Sequence, residues 1–360
     1  MVNSQEVYKS DCRHFVGSVP CKPHKNHGYH CSDCPEYDKT DGIILIIKLG
    51  AIGDVIRTTP LLHVFKQKYP TKKIWWITYT PDIVPSVVDR IFSYDVEGIE
   101  ILKSVKFDIA VNLDKDLQAC ALMKNINADV SFGYTLENGV PAPVNQTAEP
   151  KFITGLFDDV NKANTLTYPQ EIFNICGFEF NGEEYILDCD TSIKWDLLNN
   201  GKKIIGLNTG CGARWISRLW SDDNWIELIK KLKNAGYFPM LLGGEQEDEK
   251  NTYLSEKTGA FYPGYFSLSV FISLMNQCDV IVSAVTMGMH IAVGLKKPLI
   301  LMNNIFNPAE FELYGRGEIV MPKVECHCFF SPKCTHDEYF CMDHLPVNSI
   351  YEAITRSLDN

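Results

Sequence analysis

No apolar run in this sequence approaches the roughly 18–20 residues of a membrane-spanning helix; the hydrophobic stretches at 43–49 and 74–77 are strand-sized. The opening residues, MVNSQEVYKSDCRHF, contain no apolar core of the kind a secretory signal needs. A cytoplasmic protein is therefore expected. Basic charge is also in short supply: 34 Lys and Arg stand against 45 Asp and Glu, a formal net charge of -11. That balance excludes a general nucleic-acid binder, which needs a basic face to offset phosphate. It leaves room for a local basic pocket around a nucleotide diphosphate. No short-period repeat is present. What remains is an ordinary globular composition, 45% hydrophobic and 22% charged. The 360 residues predict two domains rather than one.

The chain divides into four segments. Residues 1–41 are polar and rich in Cys and His. Residues 42–195 open with an apolar strand at 42–48 and a loop at 49–58. Thr59-Pro60 then starts a helix, and Leu61, Leu62, Val64, Phe65 and Tyr69 give it an apolar face. Strands follow at 73–79 and 107–113. Residues 196–322 begin a second series, with strands at 204–208, 237–242, 279–284 and 298–302. Helices at 221–235, 247–258, 268–277 and 287–295 alternate with them, and Gly236 and Gly259 close the first two. Residues 323–360 hold four cysteines and a last helix at 347–358. Such alternation implies parallel sheets with helices on both faces, hence an α/β fold of two doubly wound domains joined near 190–201.

Four loops could carry chemistry, because open α/β sheets bind ligands beyond the carboxyl ends of their strands. The first is Lys48-Leu-Gly50-Ala-Ile-Gly53-Asp54, where Asp54 is either a general base or the cap of a short helical turn. Its Gly-x-x-Gly spacing is not the dinucleotide fingerprint. The second is Asn208-Thr209-Gly210-Cys211-Gly212-Ala213-Arg214, with Arg218 nearby: a cradle for a diphosphate, or only a flexible loop. The third is Gly243-Gly244-Glu245, whose acid either accepts from ribose hydroxyls or is simply solvated. The fourth, Ser283 to His290, opens a helix whose first amides attract phosphate. In it, Thr286, Met287 and Gly288 lie at the start and His290 stands one turn on, on the face of Thr286. Trp215, Trp220 and Trp225 read as packing residues.

Thirteen cysteines in a reducing compartment are thiols or metal ligands rather than disulfides. Five are scattered: Cys120, Cys176, Cys189, Cys211 and Cys278. Eight cluster as Cys12, Cys21, Cys31 and Cys34, and as Cys326, Cys328, Cys334 and Cys341. Each quartet is a thiolate set suited to structural zinc or iron. His14, His24, His27 and His30 offer substitutes. No single cysteine stands out as a nucleophile with a dedicated base.

The motif from Lys48 to Pro60 resembles the opening motif of glycosyltransferase family 9, the heptosyltransferases. The later runs agree in order: residues 208–212, Arg218-Leu-Trp220, residues 241–245, then 286–290. The resemblance covers about residues 43–322 and implies the GT-B fold, two facing Rossmann-like domains with the active site between them. The acceptor side would then lie in 42–195 and the nucleotide sugar in 196–322. It implies inverting transfer of a heptose from an ADP-linked donor to an acceptor hydroxyl without a catalytic metal. On that resemblance Asp54 is the base and Lys48 lies near the reaction centre. Arg218, at a position usually held by Lys, contacts the donor phosphates. Glu245 binds ribose, and Thr286, Met287, Gly288 and His290 form the phosphate loop, here without the usual Asp and first Gly. The cysteine-rich ends resemble those of the bacterial autotransporter heptosyltransferases, which carry cysteine-bound iron. The acceptor, whether glycan, protein or small molecule, and any oligomeric state stay open. The rival readings are a GT-B transferase for another nucleotide sugar and a non-catalytic metal-binding scaffold on the same fold.

Overall fold

The structure is a computed structural model that describes residues 7–324, 326–336 and 338–359. Two compact units make up the chain. The first comprises Met1–Gly50, Leu61–Glu149 and Ile175–Phe178; the second comprises Ala51–Pro60, Pro150–Asn174 and Glu179–Asn360. The first six residues of the cysteine-rich segment lie outside the described residues.

The first unit holds six strands: β1 (Gly42–Ile47), β2 (Lys72–Thr78), β3 (Arg90–Ser93), β4 (Lys106–Asn112), β5 (Asn127–Glu137) and β6 (Val140–Pro143). Their order across the sheet is β3-β2-β1-β4-β5-β6. All neighbours are parallel except β5 and β6. β1 is apolar throughout because it is central, and Ile44 pairs with Ile74 on one side and Ile109 on the other. Helices cover both faces of such a sheet, so alternation of polar and apolar residues is lost. Leu45, Ile47, Ile77, Phe107 and Ala110 form the core on one face.

The second unit holds β7 (Ile204–Asn208), β8 (Phe238–Leu242), β9 (Val280–Ala284), β10 (Leu299–Met302) and β11 (Gly317–Val320). They are ordered β11-β10-β9-β7-β8 and all parallel. Helices Asp222–Asn234 and Val347–Asp359 bury Trp225, Leu228, Ile350 and Ile354 against Leu207, Leu241, Val282 and Ile300. Ser221 caps the first of these helices, accepting from the Asn224 N–H at 3.3 Å. Trp220 and Trp225 pack edge to face inside this core, 4.9 Å between centroids.

Strand order reverses between β1 and β4 in the first sheet and between β7 and β9 in the second. At such points neighbouring loops splay apart and leave a crevice. The loops after β1, β4, β7 and β9 are therefore where chemistry is to be sought.

Two local expectations are corrected. The segment 49–58 is not all loop: Ile52–Ile56 is a short helix. A helix of five residues with an internal glycine has little intrinsic stability. Packing against the helix Met287–Gly294 supplies the rest. Thr59 does not cap the following helix, Leu61–Lys68; its hydroxyl donates to the Ile56 carbonyl at 2.7 Å and accepts from the Ile186 N–H at 2.8 Å.

Candidate functional site

In the first unit, the switch point between β1 and β4 holds a buried ion pair. Lys48, at the end of β1, bonds Asp114, which follows β4. Both side chains are about 5% exposed. The other carboxylate oxygen of Asp114 accepts from the Leu49 N–H at 2.5 Å. The Asn112 side chain accepts from the Asp114 N–H at 3.0 Å. Lys48 is thus a fixed charge whose partner the sequence analysis did not identify. Asp114 begins one of two Asp-x-Asp triplets, 114–116 and 188–190; its oxygens are committed to Lys48 and Leu49.

Asp54 belongs to the second unit, on the helix Ile52–Ile56. One oxygen accepts from the Ala51 N–H at 3.1 Å, and the other bonds Arg57 at 2.7 Å. The carboxylate stays about one-third exposed. Arg57 also bonds Glu310 at 2.5 Å and lies 3.7 Å over the Tyr168 ring. Burial disfavours its charge, but Asp54 and Glu310 outweigh burial and raise its pKa well above the ordinary guanidinium value. Arg57, Glu310 and Tyr168 were missed by the sequence reading. Only Arg57 carried a signal, its i+3 spacing from Asp54.

His290 packs its ring against this helix. A Cβ placed on Gly53 would lie 2.5 Å from the His290 ring, so glycine is required for the two helices to approach. Burial, aided by Arg57, pushes the His290 pKa down to about 3, against a weaker upward pull from Asp54. The ring is therefore neutral near pH 7, and its buried Nδ1 has no hydrogen-bond partner among the described residues.

The switch point between β7 and β9 is braced by polar side chains. Asn208 donates to Ser283 at 3.0 Å and to Thr286 at 3.1 Å, and Thr286 caps its helix by accepting from the Gly288 N–H at 3.1 Å. Met287 is half-buried at the start of that helix. Thr209 donates to Asn251 at 2.5 Å. In the loop that follows, Gly212 has φ +72°, and a Cβ on Gly210 would meet the Glu247 side chain at 2.1 Å. The amides of Gly210, Cys211 and Gly212 find no backbone acceptor among the described residues.

Arg218 lies behind this loop, 7% exposed. It donates to the Cys211 carbonyl at 3.1 Å and sits over Trp215 and Phe306. Among the described residues no carboxylate pairs with it. Burial lowers its pKa to about 10, opposed by Cys211. A buried cation near amides that lack a backbone acceptor among the described residues suits an anion. Arg214 and Glu245 are exposed. Glu247, rather than Glu245, packs across both glycine loops and accepts from the Gly244 N–H at 2.9 Å.

The terminal cysteines form two groups. Cys12, Cys21, Cys31 and Cys34 line one cavity together with His14. In the second unit, the Cys328 and Cys334 sulfurs are 3.6 Å apart. A hydrogen bond from Cys326, assisted by Asn304 and opposed by burial, lowers the Cys341 thiol to about 6 and correspondingly raises Cys326. Among the described residues no three metal-ligating side chains, as they lie, stand in an arrangement that could hold an ion. Four soft thiols in each group nonetheless match the donor chemistry of zinc or iron. Of the scattered cysteines, Cys120, Cys176, Cys211 and Cys278 are buried free thiols and Cys189 is half-buried. No helix among the described residues is long and apolar enough to cross a membrane.

A search of curated proteins finds no match. Solved structures are similar in fold. A family 9 glycosyl transferase from Veillonella parvula has a TM-score of 0.68 at 15% identity, covering 89% of this chain and 98% of that one. ADP-heptose LPS heptosyltransferase II from E. coli has 0.63 at 16%, covering 88% and 98%. The iron-containing dodecameric glycosyltransferase TibC from enterotoxigenic E. coli has 0.55 at 13%, covering 89% and 77%. The fold is thus GT-B-like, with two Rossmann-like sheets. The family model described as glycosyltransferase family 9 (heptosyltransferase) matches residues 99–339. That match spans more than half of the chain and starts after the motif at 48–60. The chain therefore belongs to glycosyltransferase family 9 and is a glycosyltransferase.

Proposed function

We propose that the protein transfers a heptose from ADP-heptose to an acceptor hydroxyl with inversion. The observation that carries this reading is Arg218, a buried cation with no acidic partner among the described residues, set behind the amides of 210–212, which find no backbone acceptor there either. A diphosphate supplies the missing negative charge. The donor belongs to the domain 196–322 on this reading, with Asn208, Thr209, Gly210, Gly212, Arg214, Arg218, Glu245 and the helix start at Thr286, Met287 and Gly288 around it. ADP-heptose as donor rests on relatives: one similar structure is an ADP-heptose LPS heptosyltransferase, and TibC was solved with ADP-D-β-D-heptose.

Asp54 takes the acceptor proton, and the freed oxygen attacks the anomeric carbon. The bond from that carbon to the diphosphate breaks, and its electron pair leaves on the phosphate. Arg218 and the loop amides meet the growing charge. The bond from Arg57 orients the Asp54 carboxylate, and Lys48 adds a fixed positive charge on the acceptor side. These cations take the part of a catalytic metal. Cys326, Cys328, Cys334 and Cys341 serve instead as a structural site for iron or zinc, in keeping with the iron named for TibC.

Calorimetric titration with ADP, UDP and GDP, followed by mass spectrometry of sugar transfer from each matching donor, tests the assignment. ADP is expected to bind at least tenfold more tightly than the others. Tighter binding of UDP or GDP would replace the heptose donor with another nucleotide sugar.

A further inference from the structure

We propose that Cys12, Cys21, Cys31 and Cys34 together bind one zinc or iron ion that staples residues 8–41 to the sheet of the first unit. The proposal is independent of the donor and of the transfer reaction. The four thiols, three of them separated by long intervals in sequence, line a single cavity of about 20 Å³. That is room for one water-sized guest. The remaining wall is largely apolar, from Phe15, Pro23, Tyr29 and Tyr37.

Each thiol arrives on backbone that is held in place. Cys12 bridges Lys39 in antiparallel pairing, and its carbonyl accepts from Lys73 at 2.9 Å. Cys21 directly precedes the helix Lys22–His27. Gly28, at φ +73°, closes that helix and turns the chain back. Cys31 and Cys34 follow with the two-residue spacing of a metal knuckle, and the Cys34 carbonyl accepts from the Tyr37 N–H at 3.2 Å.

The segment has almost no core of its own. Of residues 7–41 only Cys12, Pro23 and Thr40 are buried. A segment this short with so little buried surface needs another source of order, and metal ligation supplies it in small cysteine-rich folds. Arg13 makes polar docking contacts, bonding Asp89 at 3.1 Å and the Pro70 carbonyl at 2.7 Å, and it bonds Asp38 within the segment at 2.6 Å. These contacts adjoin β2 and cluster around Cys12, so closing the thiols on an ion fixes the Arg13 contacts as well.

The test compares full-length protein, purified under reducing conditions without chelator, with the variants Cys31→Ser/Cys34→Ser and Cys326→Ser/Cys341→Ser. Elemental analysis is expected to show about one ion fewer per chain in the first variant, the stoichiometry of a four-thiolate site. The second variant should keep that ion. Equal metal content in wild type and Cys31→Ser/Cys34→Ser would overturn the proposal. So would a disulfide among the four thiols in non-reducing peptide maps. Should the variant fail to fold, alkylation of the wild-type chain gives the answer. Cys12, Cys21, Cys31 and Cys34 should resist labelling until a strong chelator is added; labelling that ignores the chelator rejects the site. His14→Ala should retain the ion, and its loss would reject the four-thiolate ligand set.

Discussion

Removing the Arg57 side chain should destabilise the second unit. The guanidinium joins Glu310 at 2.5 Å to Asp54 at 2.7 Å and lies 3.7 Å over the Tyr168 ring. Arg57 is 16% exposed and Glu310 14%, whereas Asp54 is 32% exposed. Deleting one partner of a buried ion pair costs about 3–5 kcal/mol, because the other charge is left uncompensated. Water reaches Asp54, so Glu310 carries most of this cost. Loss of the ring contact adds about 1 kcal/mol. After discounting for partial exposure, Arg57→Ala should lose about 2–4 kcal/mol in urea unfolding near pH 7. Arg57→Lys keeps the charge but not the fork, and should lose about half as much. Glu310→Gln should restore part of the loss, since it removes the orphaned charge; the double variant should be less than additive. A loss below about 0.5 kcal/mol together with strict additivity with Glu310→Gln would refute the reasoning.

Asp54→Asn should cut turnover by about 100-fold or more while ADP binding stays nearly intact; activity within a few-fold of wild type rejects the base. Arg218→Ala should weaken ADP binding by about 1.5–3 kcal/mol, the range for a charged hydrogen bond, and calorimetry showing less than a twofold change would remove it from the phosphate site. His290, neutral in the folded protein down to about pH 3, gains its proton in the unfolded chain near the ordinary value of 6.5. Its contribution is whole above that ordinary value and is lost as pH falls toward 3, a span worth at most roughly 4–5 kcal/mol. Urea unfolding between those limits should show a shallower pH slope in His290→Gln than in wild type. Gly53→Ala places a methyl group 2.5 Å from the His290 ring, so it should cost about 1–3 kcal/mol and lower turnover through displacement of Asp54; an unchanged melting temperature would show that the helices can part.

The strands that form the two sheet centres were legible because burial on both faces leaves an unmistakable trace. Residues 42–47 and 204–207 are apolar along their whole length, and no amphipathic helix reads that way. Edge strands such as Arg90–Ser93 and Gly317–Val320 are short and mixed in character, and nothing local distinguishes them from loop. The loops at the strand ends were legible as candidates for the same reason as the strands, since parallel topology dictates where ligands bind.

Motif, spacing and charge in the sequence by themselves determined the fold class, the positions of the loops at 48–54 and 208–214, and the presence of two thiol quartets. They could not determine partners. Asp114 lies 66 residues from Lys48, and Glu310 lies 253 residues from Arg57, so no spacing rule connects them. Only the tertiary structure decided that Lys48 is paired and Arg218 has no acidic partner among the described residues, that Glu247 rather than Glu245 spans the glycine loops, and that Gly53 exists to admit His290. The physical reason is that burial and charge pairing are properties of a place in the fold. A side chain's neighbours there come from strands and helices that the chain reaches only after crossing the sheet.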